Sequence, residues 1–248
     1  MSNKPFQFKQ FTINQDRCAM KVGTDGVLLG AWTPLTNNPY NILDIGTGTG
    51  IIALMLAQRS QAEYLNLNSQ MAQQIDAIEI DDDAFEQATD NFENSPWKER
   101  LYCYHAGLDE FLDEVKEEFD LIVSNPPFYS EDYKSSDEKK ALARFTDSLS
   151  FEELVEAADY FLSDNGIFSI IIPFKEEKKI ILLCQERKLY PLKITRVRGT
   201  INTAFKRSLL AFSRINQETC IDELTIEITR HQYTPEYIAL TKDFYLKM

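Results

Sequence analysis

The residues with the clearest chemical meaning are Asn125, Pro126, Pro127 and Phe128, which follow the apolar run 119–123. Proline lacks an N–H group, and Pro127 favours an extended conformation at Pro126, so the carbonyl groups here are available as acceptors. The Asn125 side-chain oxygen and a neighbouring carbonyl can together accept both hydrogens of an –NH₂ group. Such a pair directs the nitrogen lone pair and stabilises the positive charge that develops when an amine is methylated. Phe128 can stack on a planar base, although Asn-Pro is also typical of an ordinary turn after a strand.

Three glycines, Gly46, Gly48 and Gly50, form a second group, directly after an apolar strand predicted over 41–45. Glycine tolerates positive φ and lets a ligand approach the backbone closely. A ligand in such a turn lies at the carboxyl end of the strand, where open parallel sheets bind their ligands. The Gly-x-Gly-x-Gly spacing differs from the Gly-x-Gly-x-x-Gly of dinucleotide enzymes and favours a ligand without pyrophosphate. A tight turn without a ligand is the less favoured alternative.

An acidic residue, Glu79, lies near the end of the strand predicted over 75–80. In a Rossmann-like sheet, an acid at the end of the second strand can accept both hydroxyls of a ribose. Glu79 follows the glycine turn by about 30 residues instead of the usual ~20. The polar stretch 60–74, predicted as a long loop, accounts for the difference. The glycines and Glu79 together predict a bound nucleoside.

Strands and helices alternate from residue 41 onwards, which indicates a parallel sheet covered by helices on both faces. We predict a single domain, in which 1–38 covers the cofactor and substrate, 41–172 is the cofactor-binding core and 175–248 is a C-terminal hairpin and tail. The charged segment 129–148 is predicted to be a mobile loop beside the active site. Further predicted strands are 101–105, 119–123 and 167–172, with an antiparallel edge hairpin of 189–198 and 206–213.

The composition limits the class of protein. A chain of 248 residues, 44% apolar, is long enough for one large domain or two small ones with a real core. No run approaches the roughly 18 apolar residues of a membrane helix, and the N-terminus lacks a signal-peptide pattern, so we expect a cytoplasmic protein with no membrane partner. The cysteines are scattered without a Cys-x-x-Cys motif, and there are only two histidines. This argues against zinc and against a disulfide framework, so we predict no metal and buried free thiols at Cys18, Cys103, Cys184 and Cys220.

The charge is unevenly distributed. The net charge of −13 argues at first sight against nucleic acid, because phosphate neutralisation dominates such binding. Residues 175–214, however, contain eleven Lys and Arg against three acidic residues, a net charge of +8, so the rest of the chain carries −21. A basic segment on an acidic protein is what a phosphate-binding face requires. Solvated helix and strand faces explain the same charges equally well.

The glycine turn, Glu79 and the Asn125 tetrapeptide together resemble those of the S-adenosylmethionine-dependent amino-methyltransferases. Within that group, the chain is similar to the bacterial tRNA (adenine-N(6)) methyltransferases that act on adenine 37 of valine tRNA. The resemblance implies a Rossmann-like class I methyltransferase fold with a mostly parallel seven-stranded sheet. The stretches that carry the closer similarity span nearly the whole chain: 20–26, 28–32, 94–97, 143–144, Arg207, 209–212 and 237–248.

The resemblance also implies roles for individual residues. Asn125 to Phe128 would bind the target amine and its base, and the cofactor would be S-adenosyl-L-methionine. The tRNA anticodon stem-loop would be the partner, with RNA contacts from Tyr129, Arg144, Arg196, Arg198, Lys206 and Arg207. The cofactor-binding residues would be Lys21, Thr24, Asp44, Gly46, Gly48, Gly50, Glu79, Ile80, Gly107 and Asn125.

The sequence departs from the family pattern at one position. Family members commonly have an acid after the third strand that contacts the amine of the cofactor adenine, whereas this chain has Gly107 there. Asp109 is a candidate to substitute for that acid. Loss of one such hydrogen bond would weaken cofactor binding modestly.

Other functions remain open from the residues. Methylation of a protein glutamine uses the same Asn-Pro-Pro arrangement, usually with Tyr at the position of Phe128, and needs no basic face. DNA adenine methylation is less favoured, because no separate base-recognition domain is evident. A non-catalytic cofactor-binding or RNA-binding module would have no need of the amine-orienting Asn125. A monomer is slightly favoured over an oligomer.

Overall fold

The structure, a computed structural model, describes residues 4–66, 73–127 and 149–247. The strands are β1 (Phe6–Gln7), β2 (Thr12–Ile13), β3 (Asn41–Ile45), β4 (Gln74–Glu79), β5 (Leu101–His105), β6 (Phe119–Ser124), β7 (Leu162–Pro173), β8 (Tyr190–Arg198), β9 (Arg207–Ser213), β10 (Cys220–Thr225), β11 (Glu227–Thr229) and β12 (Gln232–Tyr233). The α-helices are α1 (Thr24–Trp32), α2 (Ile51–Asn66), α3 (Asp82–Glu93), α4 (Leu108–Glu114), α5 (Phe151–Phe161), α6 (Glu177–Glu186) and α7 (Pro235–Thr241).

One sheet joins strands from the predicted core and from the C-terminal segment, in the order β10-β8-β9-β7-β6-β3-β4-β5. Strands β3 to β7 run parallel to their neighbours among themselves, and β9 pairs antiparallel with both β7 and β8. The mostly parallel sheet and the antiparallel hairpin are thus confirmed. The predicted number of seven strands is wrong, because the sheet has eight strands within the described residues.

The additional strand is β10, which pairs parallel with β8. Its residues do not alternate between buried and exposed positions, since Leu224 is the one buried residue among its six. An edge strand needs to pack little of its surface, so hydrophobic periodicity does not reveal it. Cys220 lies on this strand and is exposed, so the prediction of a buried thiol is wrong there. Cys18 and Cys184 are buried as predicted, and Cys103 is half-buried.

Helices cover both faces of the sheet, as predicted. Alternate residues of a strand point to opposite faces, and β3 sends Ile42 into the core beneath α1, α2 and α3, but Leu43 and Ile45 into the core beneath α4, α5 and α6. The same alternation holds in β6, where Leu121 faces the first core and Ile122 the second. No helix in these ranges has the length and apolarity to cross a bilayer.

The polar stretch 60–74 is not a loop throughout. Helix α2 continues through Asn66, so the loop prediction is wrong for 60–66, and 67–72 lies outside the described residues. The Gln, Ala, Glu and Leu residues of this stretch are good helix formers, so its polar composition does not exclude a helix. Ser60 is buried, with its hydroxyl donating to the Leu56 carbonyl at 2.8 Å, which extends the helix without an unsatisfied group. The segment predicted as a mobile loop, 129–148, also lies outside the described residues.

Helices α1 and α2 pack through a glycine. A Cβ atom added at Gly30 would lie 2.9 Å from Met55 Cβ, whereas one added at Gly26 would lie 3.2 Å from Ile51 Cγ2, the end of a side chain. Alanine gains up to about 1 kcal/mol of helix propensity over glycine, but overpacking costs about 1–3 kcal/mol. We expect G30A to lower the free energy of unfolding, measured in urea, and the matched variant G26A to change it little.

A double variant tests the contact directly. M55A keeps Cβ but removes Sδ and Cε, which would lie 2.8 and 3.3 Å from the new methyl group, so G30A should cost less in the M55A background than in the wild type. Purely additive effects of the two substitutions would contradict the proposed overlap.

Candidate active site

The glycine turn follows β3 and has the backbone conformation that its residues permit. Gly46, Gly48 and Gly50 have φ values of +70°, +58° and +79°. The turn is tied to β4, because the N–H groups of Gly46 and Thr47 donate to the Ile78 carbonyl at 3.0 and 3.1 Å. A residue with a Cβ atom would be strained at each of the three glycines.

The three glycines have different surroundings. A Cβ atom at Gly46 or Gly48 would meet no atom within 4 Å, so both face open space. A Cβ atom at Gly50 would lie 2.5 Å from Cε1 of Phe92 on α3. Gly50 therefore allows close helix packing, and Gly46 and Gly48 leave room at the carboxyl end of the sheet.

Glu79 ends β4 and faces the turn. Its Oε2 accepts a hydrogen bond from the Gly48 N–H at 2.8 Å, and its Oε1 accepts from the N–H groups of Ile80 and Asp81 at 2.9 and 3.0 Å. The backbone thus holds this carboxylate at the mouth of the turn. Ile80 beside it is 61% exposed and lines an open cleft at this end of the sheet, a position from which its side chain can contact a flat ligand.

Asp44 lies buried beneath the same turn. Its Oδ2 accepts hydrogen bonds from Thr47 Oγ1 at 2.6 Å and from the Ala53 N–H at 3.3 Å. Its Oδ1 is buried and has no hydrogen-bond partner among the described residues. Burial raises the pKa of Asp44 to about 7, partly offset by the hydrogen bond from Thr47.

The predicted amine-binding residues follow β6, next to β3. The parallel register pairs Ile45 with Ser124, and Ser124 Oγ donates to the Ile45 carbonyl at 2.9 Å. Asn125 comes next and is half-buried, Pro126 is buried, and Pro127 is exposed. The structure thus brings Asn125 beside the glycine turn. Of the other predicted residues here, Phe128, Tyr129 and Arg144 lie outside the described residues.

Gly107 lies at the start of α4, beside an open cleft of about 860 Å³ that Ile80 and Asp82 also line. A Cβ atom at Gly107 would lie 2.7 Å from Asp109 Oδ1 and 3.4 Å from Ile80 Cδ1. The Asp109 carboxylate therefore occupies the space that a side chain at position 107 would fill. His105 on the same edge is held by its environment, with its ring stacked on Phe85 at 5.1 Å.

The predicted N-terminal site residues, Lys21 and Thr24, lie just before and at the start of α1, and Lys21 makes hydrogen bonds within its own segment. Lys21 Nζ donates to the carbonyls of Gln15 and Cys18, the latter at 2.8 Å. Thr24 begins α1 and lines a cavity with Tyr237 and Tyr245 of the C-terminal tail. Lys21 thus closes the loop that contains Gln15 and Cys18.

A residue that the sequence analysis missed, Asn91, joins this segment to the glycine turn. Its Nδ2 donates to the carbonyls of Thr49 and Asn14, both at 2.9 Å, and its Oδ1 accepts from the Asn14 N–H at 2.9 Å. Asn91 and Gln87 are buried on α3 at spacings shared with Ala84 and Ala88. Two amides within an apolar stripe are the signal that could have revealed them.

Three of the predicted RNA-binding arginines, Arg196, Arg198 and Arg207, are among the described residues, and each has a carboxylate partner. Arg196 makes three hydrogen bonds of 2.7–3.1 Å to the buried Glu177. Arg198 Nη2 lies 3.1 Å from Glu223, and Arg207 Nε lies 2.8 Å from Asp25. Lys206 has an exposed side chain between these arginines in the chain. The charge of this region is therefore partly neutralised inside the protein.

The residues present fit S-adenosylmethionine. The open space at Gly46 and Gly48 gives a ligand access to the backbone. Oδ1 of Asp44, which has no partner among the described residues, can accept a hydrogen bond from a ligand. The cofactor carries an ammonium group, which suits the carboxyl group of Asp44, and ribose hydroxyls, which suit the carboxylate of Glu79. The exposed Ile80 suits its adenine ring.

The chain is similar in sequence to methyltransferases. The profile of the family described as Methyltransferase small domain matches residues 27–184. A tRNA1(Val) (adenine(37)-N6)-methyltransferase from Flavobacterium johnsoniae is 65% identical over 98% of this chain and 100% of its own length. A protein of the same name from Christiangramia forsetii is 57% identical over the full length of both chains.

Solved structures share the fold. A protein from Agrobacterium tumefaciens described as a predicted O-methyltransferase has a TM-score of 0.65 and 18% identity, covering 89% of this chain and 96% of its own. A protein from Listeria monocytogenes described as a class I S-adenosylmethionine-dependent methyltransferase has a TM-score of 0.54 and 13% identity, covering 87% of this chain and 68% of its own. At these identities the likeness concerns the fold alone, and it confirms the predicted Rossmann-like class I methyltransferase fold.

The two kinds of glycine predict different mutant behaviour. G48A introduces strain of about 1–2 kcal/mol from its positive φ, whereas G50A adds the overlap with Phe92, which costs about 1–3 kcal/mol more. Urea unfolding should therefore show a larger loss of stability for G50A. Calorimetric titration with S-adenosylmethionine should show weakened binding for G48A, because its methyl group enters the open space. Equal losses of stability would contradict this distinction.

The pKa of Asp44 predicts a pH-dependent stability of the ligand-free protein. Because that pKa is raised from 3.8 to about 7, the folded protein keeps a proton between pH 4 and 7 that the unfolded chain releases. The free energy of unfolding should therefore fall as pH rises through this window. D44N should lose this dependence, so the stability of the wild type relative to D44N should fall by roughly 1.4 kcal/mol for each pH unit inside the window. Parallel stability curves in urea would show that Asp44 does not titrate in this way.

Proposed function

The chain belongs to the family of the tRNA1(Val) (adenine(37)-N6)-methyltransferases, and we propose that it methylates the exocyclic N(6) amine of an adenine in tRNA with S-adenosylmethionine. The adenine is at position 37, beside the anticodon of valine tRNA. One observation in the structure supports the proposal: Ile45, directly before the glycine turn, pairs with Ser124, directly before Asn125. The methyl donor and the amine that receives the methyl group would then lie at the same end of the sheet.

The chemistry assigned to Asn125 follows from the electronic structure of adenine. The lone pair of the exocyclic nitrogen is delocalised into the ring and must turn towards the methyl donor. The Asn125 side-chain oxygen and the Pro126 carbonyl accept the two amine hydrogens, which orients the lone pair and stabilises the developing positive charge. The methylated nitrogen then loses its proton to water without a strong base. When bound, S-adenosylmethionine supplies an electrophilic methyl group.

The cofactor-binding roles follow from the positions of the side chains. Glu79 accepts the ribose hydroxyls, Ile80 packs against the adenine, and the peptide groups at Gly46 and Gly48 lie against the methionine and ribose. The Asp109 carboxylate supplies the acceptor for the adenine amine that is missing at Gly107, which is supported by its place in the space that a side chain at 107 would occupy.

Substrate binding is assigned to the same edge. Phe128 stacks on the target base, and Tyr129, Arg144 and Lys206 contact the RNA. An anticodon loop is single-stranded enough for one base to be turned out of the stack, as enzymes that modify bases require. We assign the enzyme to the cytoplasm, where tRNA is modified, and expect it to act as a monomer.

The decisive experiment uses the purified protein, radiolabelled S-adenosylmethionine and total tRNA from a bacterial strain that lacks this activity. Label in N(6)-methyladenosine after digestion to nucleosides supports the reaction, and fractionation of the tRNA identifies the substrate. Unlabelled tRNA together with labelled glutamine in a protein extract would instead support the alternative protein methyltransferase. A protein that does not bind the cofactor would contradict the proposal altogether.

Asn125 separates catalysis from cofactor binding. N125A removes one of two acceptors for the amine, so we expect turnover to fall by about 10²–10³-fold, the usual loss when one preorganised polar group is removed. The affinity for S-adenosylmethionine, measured by calorimetry, should stay within a few-fold of the wild type. A collapse of cofactor affinity in N125A would refute this role for Asn125.

A further inference from the structure

Two aromatic side chains lie together at the edge of the sheet where β7 ends and β9 begins. The ring centroids of Phe174 and Phe205 are 5.5 Å apart, with an interplanar angle of 52°. Phe174 is 37% exposed, and its N–H donates to the Lys206 carbonyl at 3.1 Å. The backbone thus holds an exposed aromatic ring beside an exposed lysine. We call Phe174 and Phe205 the aromatic pair.

Each ring of the aromatic pair has an arginine over it. Arg196 Cζ lies 5.8 Å from the centroid of Phe174, and Arg198 Cζ lies 5.0 Å from that of Phe205. Both arginines also form ion pairs, Arg196 with Glu177 and Arg198 with Glu223. The arginines therefore orient the rings through cation–π contacts, and their charges are largely used within the protein.

The aromatic pair lies on the same sheet edge as Asn125. The parallel register pairs Ser124 with Ile170, and β7 continues to Pro173, directly before Phe174. At about 3.3 Å per residue along a strand and about 5 Å between strands, Phe174 lies roughly 10–15 Å from Ser124. This separation suits a nucleotide near the target adenine in the same loop of RNA.

The surroundings of the aromatic pair favour a polyanion. Lys175 and Lys178 are exposed beside Phe174, in addition to Lys206. The ionic partner of Lys175 among the described residues is the neighbouring Glu176, at 4.0 Å. Exposed aromatic rings next to cations are the combination with which proteins bind single-stranded nucleic acid, because every base has a flat face and every nucleotide a phosphate.

We propose that Phe174 and Phe205 form a stacking platform for one unpaired base of the substrate RNA, outside the pocket for the target adenine, and that Lys206 contacts a phosphate beside that base. The proposal rests on the proposed function, because it assigns the aromatic pair to the same RNA. Arg196 and Arg198 then hold the two rings in place through their cation–π contacts, and they do not contact phosphates directly.

The experiment combines protein variants with an RNA stem-loop that carries the target adenine. F174L keeps an apolar side chain but removes the aromatic face, and F174W is the matched control that retains it. In filter binding, F174L should bind the RNA about 5- to 150-fold more weakly than the wild type, the range that corresponds to about 1–3 kcal/mol for one stacked base. F174W should bind within about 3-fold of the wild type.

Abasic substitutions in the loop identify the stacked base. For the wild type, removal of one base other than the target adenine should weaken binding by a similar factor. F174L should be insensitive to that substitution but fully sensitive to the others, because the lost contact is the same one. F205L should show a weaker coupling to the same position, because the ring of Phe205 contacts Phe174 and helps to hold it in place.

Lys206 gives an independent readout. K206Q should lower the slope of log affinity against log salt concentration by about 0.7, the contribution of one phosphate contact in single-stranded nucleic acid. F174L should leave that slope unchanged.

The outcomes separate this inference from the proposed function. Wild-type protein that methylates tRNA, together with an F174L variant that binds RNA normally, would overturn the stacking platform alone. An F174L defect that couples to no single base would also overturn it, since it would indicate a structural effect. Unchanged affinity of F174L for S-adenosylmethionine verifies that the variant is folded. Absence of RNA methylation by the wild type would contradict the proposed function itself.

Discussion

The pairing of Ile45 with Ser124 is the contact on which the rest of the site depends. Ile45 and Ser124 lie about one interstrand spacing apart, near 5 Å, and because the glycine turn follows one and Asn125 follows the other, the strand register brings both to the same end of the sheet. A shift of the register by one residue would turn every side chain of β6 to the opposite face. Leu121 and Ile122 are buried in the two cores on opposite faces of β6, so the shift would force both close-packed cores to rearrange. The hydrophobic core thus determines the geometry of a polar site.

The same edge of the sheet is costly for stability. Asp44 is buried with one oxygen unpartnered among the described residues, and three glycines adopt positive φ values. A chain selected for stability alone would have little reason to keep a buried carboxylate there, because burial without full hydrogen bonding is unfavourable. Binding sites commonly retain such features, since the groups that a ligand satisfies are unsatisfied without it. Glu79 avoids this cost by accepting three backbone hydrogen bonds.

The basic segment is less positive in the folded protein than its composition indicates. Arg196, Arg198 and Arg207 pair with carboxylates that come from α6, β10 and α1. These ion pairs join separate elements around the end of the sheet and position the side chains between them. The remaining positive charge is carried by lysines, whose flexible side chains suit contact with phosphates more than rigid recognition.

The sequence by itself determined the elements and much of the site, namely the glycine turn, Glu79 and Asn125 at the ends of apolar strands, because hydrophobic periodicity and glycine spacing are carried by consecutive residues. It also predicted the mostly parallel sheet, but β10 escaped notice because an exposed edge strand has no such periodicity. Only the tertiary structure decided that Asn91 joins the N-terminal segment to Thr49, and that Arg207 pairs with Asp25, 182 residues away. Such partners are chosen by the packing of distant elements, and no local pattern of residue types records them.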